Sequence, residues 1–359
     1  MRNFARLPEQ GEAKRLLQAA LDEPAHAYLF HGPPGVGKRA AALALAGELL
    51  GDADRVQRRA HPDLYVLEPL GEMIRIDPIR ELRHDLHMRP FEANRRVYLI
   101  FSAQLMNAEA ADALLKDLEE PPPYAVVVLV ADDLGPLPET IRSRCQLVPF
   151  RRLSESSIRA EVEARAPALT DDEKTAFTRV AGGRLDRVER LLDPAAVERR
   201  GALLDVARSV YRDAAFEPAF AAARIVLSAR ARGAEAKAAA ETALERLDLP
   251  PREGEQRVRR AQRGAEREEV LAELEELAAW YRDLIAVSVG ADEAVLHYDR
   301  LADLREDASR ERIGAAERAA ETVRQTWRNF QEFNLDAELA LEALFVELRR
   351  ELAGAAVPA

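Results

Sequence analysis

The chain has 359 residues, 48% hydrophobic and 32% charged, with a net charge of -11 and a single cysteine, Cys145. That length calls for two or three domains, each large enough for its own core, and one cysteine excludes both an internal disulfide and a thiolate-rich zinc cage. The acidic balance excludes a generally basic nucleic-acid surface and leaves only a local patch open; no apolar run approaches the roughly 20 residues of a membrane helix, and Met1–Arg6 lacks a signal-like stretch, so the expectation is a cytoplasmic chain with no membrane segment.

In chain order, Pro8–Ala20 predicts a short helix and Ala27–Phe30 a strand. His31-Gly32-Pro33-Pro34-Gly35-Val36-Gly37-Lys38-Arg39 follows, then a helix through Ala40–Ala46. Gly51–Arg59 is polar and charged. Leu64–Leu67 reads as a second strand, Ile79–Leu86 as a helix, and Val97–Phe101 as a third strand, a continuous apolar run suited to a parallel sheet buried on both faces. Ala108–Leu118 is helical up to Pro121-Pro122-Pro123; Val126–Val130 and Gln146–Phe150 supply strands four and five. Alternating strands and helices over about 150 residues imply a doubly wound α/β domain with its ligand site at the carboxyl ends of the strands.

Beyond Leu153 the strand signals stop. Residues 154–193 predict a small helical unit holding the turn Gly182-Gly183, and 195–352 a helical bundle rich in Ala, Glu, Arg and Leu, with an apolar stripe at Leu271, Leu274, Leu277, Ala278 and Tyr281 and a break at Pro250–Gly254. The arginines 257, 259, 260, 263 and 267 are interleaved with glutamates, which favours a salt-bridged helix face over a nucleic-acid stripe. No internal repeat is present.

The strand–loop–helix around Gly32, Gly35, Gly37 and Lys38 is what a phosphate-binding P-loop requires: glycines let backbone N–H groups converge on phosphate oxygens, and the lysine sets a point charge against the outer phosphates. The last motif position should be Ser or Thr, whose hydroxyl holds Mg2+; here it is Arg39. A working P-loop ATPase also needs an acidic pair at a second strand end, and Val97–Phe101 is followed by Ser102-Ala103-Gln104.

Leu114-Leu115-Lys116-Asp117-Leu118-Glu119-Glu120-Pro121-Pro122 and Leu137-Pro138-Glu139-Thr140-Ile141-Arg142-Ser143-Arg144-Cys145 resemble the signature segments of bacterial DNA polymerase III clamp-loader subunits of the AAA+ class. His26–Phe30 extends the resemblance, and Asn334–Leu344 does so weakly; it covers most of residues 1–150 well and the rest loosely. It implies an α/β AAA+ P-loop domain (1–152), a small helical lid (153–194) and an all-α collar (195–359). Counting back from Leu114-Leu115-Lys116, the family's acidic pair falls on Phe101 and Ser102, so with Arg39 three metal-binding positions are lost. The strand-four sensor position is Ala131-Asp132, again without the usual hydroxyl or amide.

The resemblance therefore implies a subunit that does not hydrolyse ATP itself but supplies Arg144 in trans, as an arginine finger, to the ATP of a neighbouring subunit. Arg187, in Gly183-Arg184-Leu185-Asp186-Arg187, aligns with the family's nucleotide-sensing arginine, with a plain surface arginine equally open. No cofactor is required, no zinc is expected because Gly51–Ala60 lacks the family's four cysteines, and residual ATP or ADP binding stays open. The partners implied are the ATPase and delta subunits of the loader, the sliding clamp indirectly, and primer-template DNA through the complex. Cys145 is expected in the core, and Glu119-Glu120 needs no role beyond a helix end. An ATP-hydrolysing loader subunit and a non-replicative nucleotide-binding scaffold or regulator are the alternatives.

Overall fold

The computed structural model describes residues 4, 7–69, 73–244, 251–333 and 335–353. Of the residues named in the sequence expectations, Met1–Asn3, Ala5, Arg6, Pro250 and Asn334 lie outside them. The chain divides into two compact units, Met1–Glu161 with Ala181–Val188, and Val162–Val180 with Glu189–Ala359.

The first unit is built on a five-stranded sheet. Helix α1 (Gly11–Asp22) leads into β1 (Ala27–His31), the glycine loop and α2 (Lys38–Leu50); α3 (Ala53–Gln57), β2 (Leu64–Leu67), α4 (Ile76–Leu86), β3 (Arg96–Phe101), α5 (Ala108–Glu119), β4 (Ala125–Ala131), α6 (Glu139–Arg142) and β5 (Gln146–Pro149) follow. The strand order is β2-β3-β4-β1-β5 and every pairing is parallel. All residues of β3 and β4 are buried, as their unbroken apolar runs require.

Because side chains alternate along a strand, the sheet separates two cores. Tyr28, Phe30, Leu99, Phe101, Val126 and Val128 pack with Leu17 of α1 and Leu45 of α2, whereas Leu29, Tyr98, Ile100, Val127 and Leu129 pack with Ile79 and Leu82 of α4 and Leu114 of α5. The period-2 register thus sets Phe101 on the face shared with α2, and Arg39 lies in the first turn of that helix.

The segment 51–59, polar in sequence, contains the short α3. The Asp52 carboxylate accepts from the Arg55 N–H at 2.9 Å, an N-cap, and Val56 is fully buried. Asp63, also fully buried, accepts from the backbone N–H groups of Phe91, Glu92 and Ala93 at 2.6, 3.0 and 2.8 Å. Burial alone would raise its carboxyl, but those three donors and Arg96 hold it below the usual carboxylate range. The His-Pro-Asp segment therefore pins the loop that precedes β3.

After β5 the remaining regular structure among the described residues is helical: α7 (Glu155–Arg165), α8 (Asp171–Ala181), α9 (Leu185–Leu191), α10 (Pro194–Arg212), α11 (Pro218–Leu244), α12 (Pro251–Ser288), α13 (Leu301–Asp307), α14 (Ile313–Glu332) and α15 (Ala337–Leu352). In the second unit Leu203, Ile225, Leu274, Leu277, Trp280, Tyr281, Val323, Leu344 and Phe345 share one core. Leu274, Leu277 and Tyr281 of the predicted stripe are fully buried, and Leu271 and Ala278 pack at its edge. Pro251 opens α12, where a proline without an N–H is tolerated. Arg267 of the arginine run donates to the Phe330 and Gln331 carbonyls at 2.9 and 2.7 Å, closing the end of α14. A parallel sheet with flanking helices followed by helices alone is the architecture expected from the sequence.

Candidate functional site

The glycine loop leaves the carboxyl end of β1, which runs between β4 and β5, and this is where an open parallel sheet offers a ligand crevice. Its glycines are required by geometry. Gly32 has φ +137°, and a Cβ there would lie 2.0 Å from the Phe150 carbonyl oxygen; Gly35 has φ +73°, and a Cβ would lie 1.8 Å from Asp186 Oδ1. Gly37, at φ +95°, forms the left-handed cap from which α2 starts.

Lys38 is buried and turned into its own loop. Its ammonium donates to the Gly32 and Pro33 carbonyl oxygens, both at 2.5 Å, and stands 2.7 Å from Asp132 Oδ1. The strand register explains the last contact: His31 is paired with Ala131, so the next residue of each strand, Gly32 and Asp132, begin neighbouring loops. Burial pulls the Lys38 ammonium below its ordinary value, and Asp132 opposes that shift.

Leu185 and Asp186 pack over the loop. The Leu185 N–H donates to the Gly35 carbonyl at 2.7 Å, and Arg184 forks onto Asp186, Nε to Oδ1 at 3.1 Å and Nη2 to Oδ2 at 2.7 Å. Burial acts to raise the Asp186 carboxyl, but Arg184 holds it below the usual range. Arg187 follows directly, its backbone N–H on Asp186 Oδ1 at 3.0 Å. Asp186, three residues after Gly183, is a loop contact that no motif in the sequence marks.

The positions at which the resemblance expects metal ligands hold other groups. The guanidinium carbon of Arg39 lies 4.1 Å from the centroid of the Phe101 ring, and Arg39 also pairs with Glu68, just past β2. Arg59 meets the same carboxylate at 2.8 Å. Ser102 adopts the left-handed conformation, φ +54°, and starts a 3-10 turn. The stacked cation and ring offer no oxygen to a divalent ion, and the Glu68 carboxylate beside them is taken by Arg39 and Arg59, so this set does not fit Mg2+.

Arg144 lies apart from the glycine loop, after α6. Its Nη1 donates to the Thr140 carbonyl at 2.9 Å, its Nη2 pairs with the Glu119 carboxylate, and one third of its side chain is exposed, 33%. Glu119 ends α5, so the structure brings the Leu-Glu-Glu-Pro-Pro segment and the Ser-Arg-Cys triplet together, a pairing that sequence spacing did not reveal. Cys145 is buried, and burial pushes its thiol up to about 12, which makes it a core group rather than a nucleophile.

Comparison with known proteins bears on the same segment. The family model described as DNA polymerase III, delta subunit matches residues 9–154. The chain is 38% identical over 149 residues to DNA polymerase III subunit delta' of Bacillus subtilis, covering 38% of this chain and 45% of that protein. It is 35% identical over 201 residues to the delta' subunit of Pseudomonas aeruginosa, covering 50% and 60%. Among solved structures, a DNA polymerase III gamma subunit-related protein of Thermotoga maritima aligns with 95% of this chain and 99% of that chain at 17% identity, with a TM-score of 0.47. The chain spans about half the length of the curated relatives it matches. By sequence, then, residues 9–154 are similar to the delta and delta' subunits of DNA polymerase III.

Proposed function

We propose that this protein serves as a delta-prime-like subunit of a DNA polymerase III clamp loader, a hetero-oligomer that places the sliding clamp on primed DNA. In this reading its own ATP site is degenerate, and Arg144 is supplied in trans to the ATP of a neighbouring ATPase subunit. The observation that carries the first half is Arg39 stacked on Phe101 at 4.1 Å, since a guanidinium and a ring stand where a metal-holding hydroxyl and carboxylate would be needed. Without a metal clamp on the phosphates the chain lacks the charge neutralisation on which phosphoryl transfer depends.

The second half is supported by the mount of Arg144. A guanidinium held through Nη1 by the Thr140 carbonyl and through Nη2 by Glu119 keeps its direction while one third of the side chain stays exposed, which suits a cation aimed at another subunit's phosphate. Glu119 is half-exposed and gives way to a stronger anion at modest cost. The remaining partners are the other loader subunits, with the clamp and DNA engaged through the assembly.

Hydrolysis by the isolated chain tests the degenerate-site half. Incubated with ATP and Mg2+, the full chain should turn over no faster than its Lys38→Ala variant. Mg2+-dependent turnover abolished by Lys38→Ala would overturn the reading in favour of an active ATPase subunit.

A further inference from the structure

A lysine ammonium has three protons to donate, and in this chain all three have acceptors: Gly32 O, Pro33 O and Asp132 Oδ1. Two of these are neutral carbonyls of the loop itself. The third is a full negative charge, set beside the loop by the register of β1 with β4. Asp132 is 44% exposed, so its carboxylate lies at the mouth of the crevice, against the buried cation that a phosphate oxygen would have to reach.

Asp186 is a second carboxylate at the loop, but Arg184 neutralises it through two hydrogen bonds, and it lies against the Gly35 backbone. Asp132 is the carboxylate paired with Lys38. We propose that Asp132 is an internal counter-ion that stands in for phosphate on Lys38 and keeps the P-loop closed to polyphosphates. Removing its charge would then uncover a metal-independent phosphate site. The glycine loop keeps its left-handed turns at Gly35 and Gly37 and the start of α2, so the backbone donors and the helix terminus remain in place. Its own lysine, Lys38, is not free but held by Asp132 and the loop carbonyls. The inference rests on the degenerate-site reading for its metal independence alone; the ion pair stands on geometry.

The experiment is calorimetric titration of ADP into the full chain, in EDTA and again in Mg2+, for wild type, Asp132→Ala, Asp132→Asn, Asp186→Ala and the double variant Lys38→Ala/Asp132→Ala, each checked for folding by circular dichroism. Both Asp132 variants should bind ADP at least about tenfold tighter than wild type in EDTA, the gain disappearing in the double variant. Asp186→Ala should not reproduce it. Should Asp132→Ala fail to fold, Asp132→Asn, which keeps the shape and removes the charge, decides alone. Equal affinity of wild type and the charge-removed variants, or a gain that survives Lys38→Ala, would overturn the proposal. Mg2+-strengthened binding to wild type would contradict the degenerate-site reading and the closure together, whereas wild type that fails to bind in either medium with no gain in the Asp132 variants would overturn the closure alone, so the two failures are distinct.

Discussion

Arg39 and Phe101, which stand where the proposed reading expects metal ligands, show how two such residues can stabilise one another. A buried ring and a half-exposed guanidinium on the same face of the sheet stack, an interaction of about 0.5–1 kcal/mol, and Glu68 anchors the far side of the cation. The residue identities were legible in the sequence as departures from a motif. Their contact was not, because it depends on the alternation of β3 that turns Phe101 toward α2. The same holds for Asp132, which reads in sequence only as an unsuitable sensor and gains meaning from the pairing of His31 with Ala131.

The glycines permit a test at this scale. Gly32 and Gly51 both have positive φ, +137° and +76°, but an added Cβ meets Phe150 O at 2.0 Å at Gly32 and nothing within 4 Å at Gly51. Gly51→Ala should cost about 1 kcal/mol, the conformational penalty alone, and Gly32→Ala at least about 3 kcal/mol, since backbone must also move. Denaturant titration of the two variants measures the difference. Equal losses would mean that the loop does not approach Phe150 as described.

Among elements, the strands and the amphipathic helices were readable because burial on both faces leaves continuous apolar runs and burial on one face leaves a stripe. The short α3 was not, since its formation depends on one cap, Asp52, and one buried valine rather than on a pattern. Helix α12 is a further case: its apolar stripe was visible, but not that Glu269 and Glu273, one turn apart, are both buried. Glu269 meets Arg190 at 2.9 Å and Arg199 at 3.4 Å. Burial, with the Glu269 charge adding to it, pushes the Glu273 carboxyl up to about 8.

That shift has a sign. Between the unfolded value near 4.5 and about 8 the folded chain holds a proton on Glu273 that the unfolded chain has released, so this group's contribution to stability declines as pH rises through that window. Glu273→Gln, which keeps the shape and cannot ionise, removes the decline. The Tm of the variant should gain on wild type progressively from pH 5 to pH 8, by about 2 °C or more at the upper end. A constant difference across that range would show that Glu273 is ionised in the folded protein.

For the whole molecule, the proposed reading confines the chain's chemistry to one partly exposed arginine, Arg144. Sequence reached Arg144 through the Ser-Arg-Cys triplet, and the structure adds the mount: α6 directly before it, Glu119 from the end of α5 beside it. Neither the fold nor the glycine loop by itself distinguishes a hydrolysing subunit from one that assists a neighbour. The distinction rests on which side chains occupy the metal positions and on which arginine faces outward.

The most direct measurement is therefore ATP hydrolysis by a reconstituted clamp loader holding either the wild-type chain or its Arg144→Ala variant, with primed DNA and clamp present and with assembly verified by size-exclusion chromatography. With Arg144 acting in trans, the assembly should form normally while hydrolysis at the ATP site facing this chain falls by about 10³ or more, as removal of an arginine finger does, so that the DNA-stimulated rate of the whole drops. An unchanged DNA-stimulated rate in an intact assembly would contradict it.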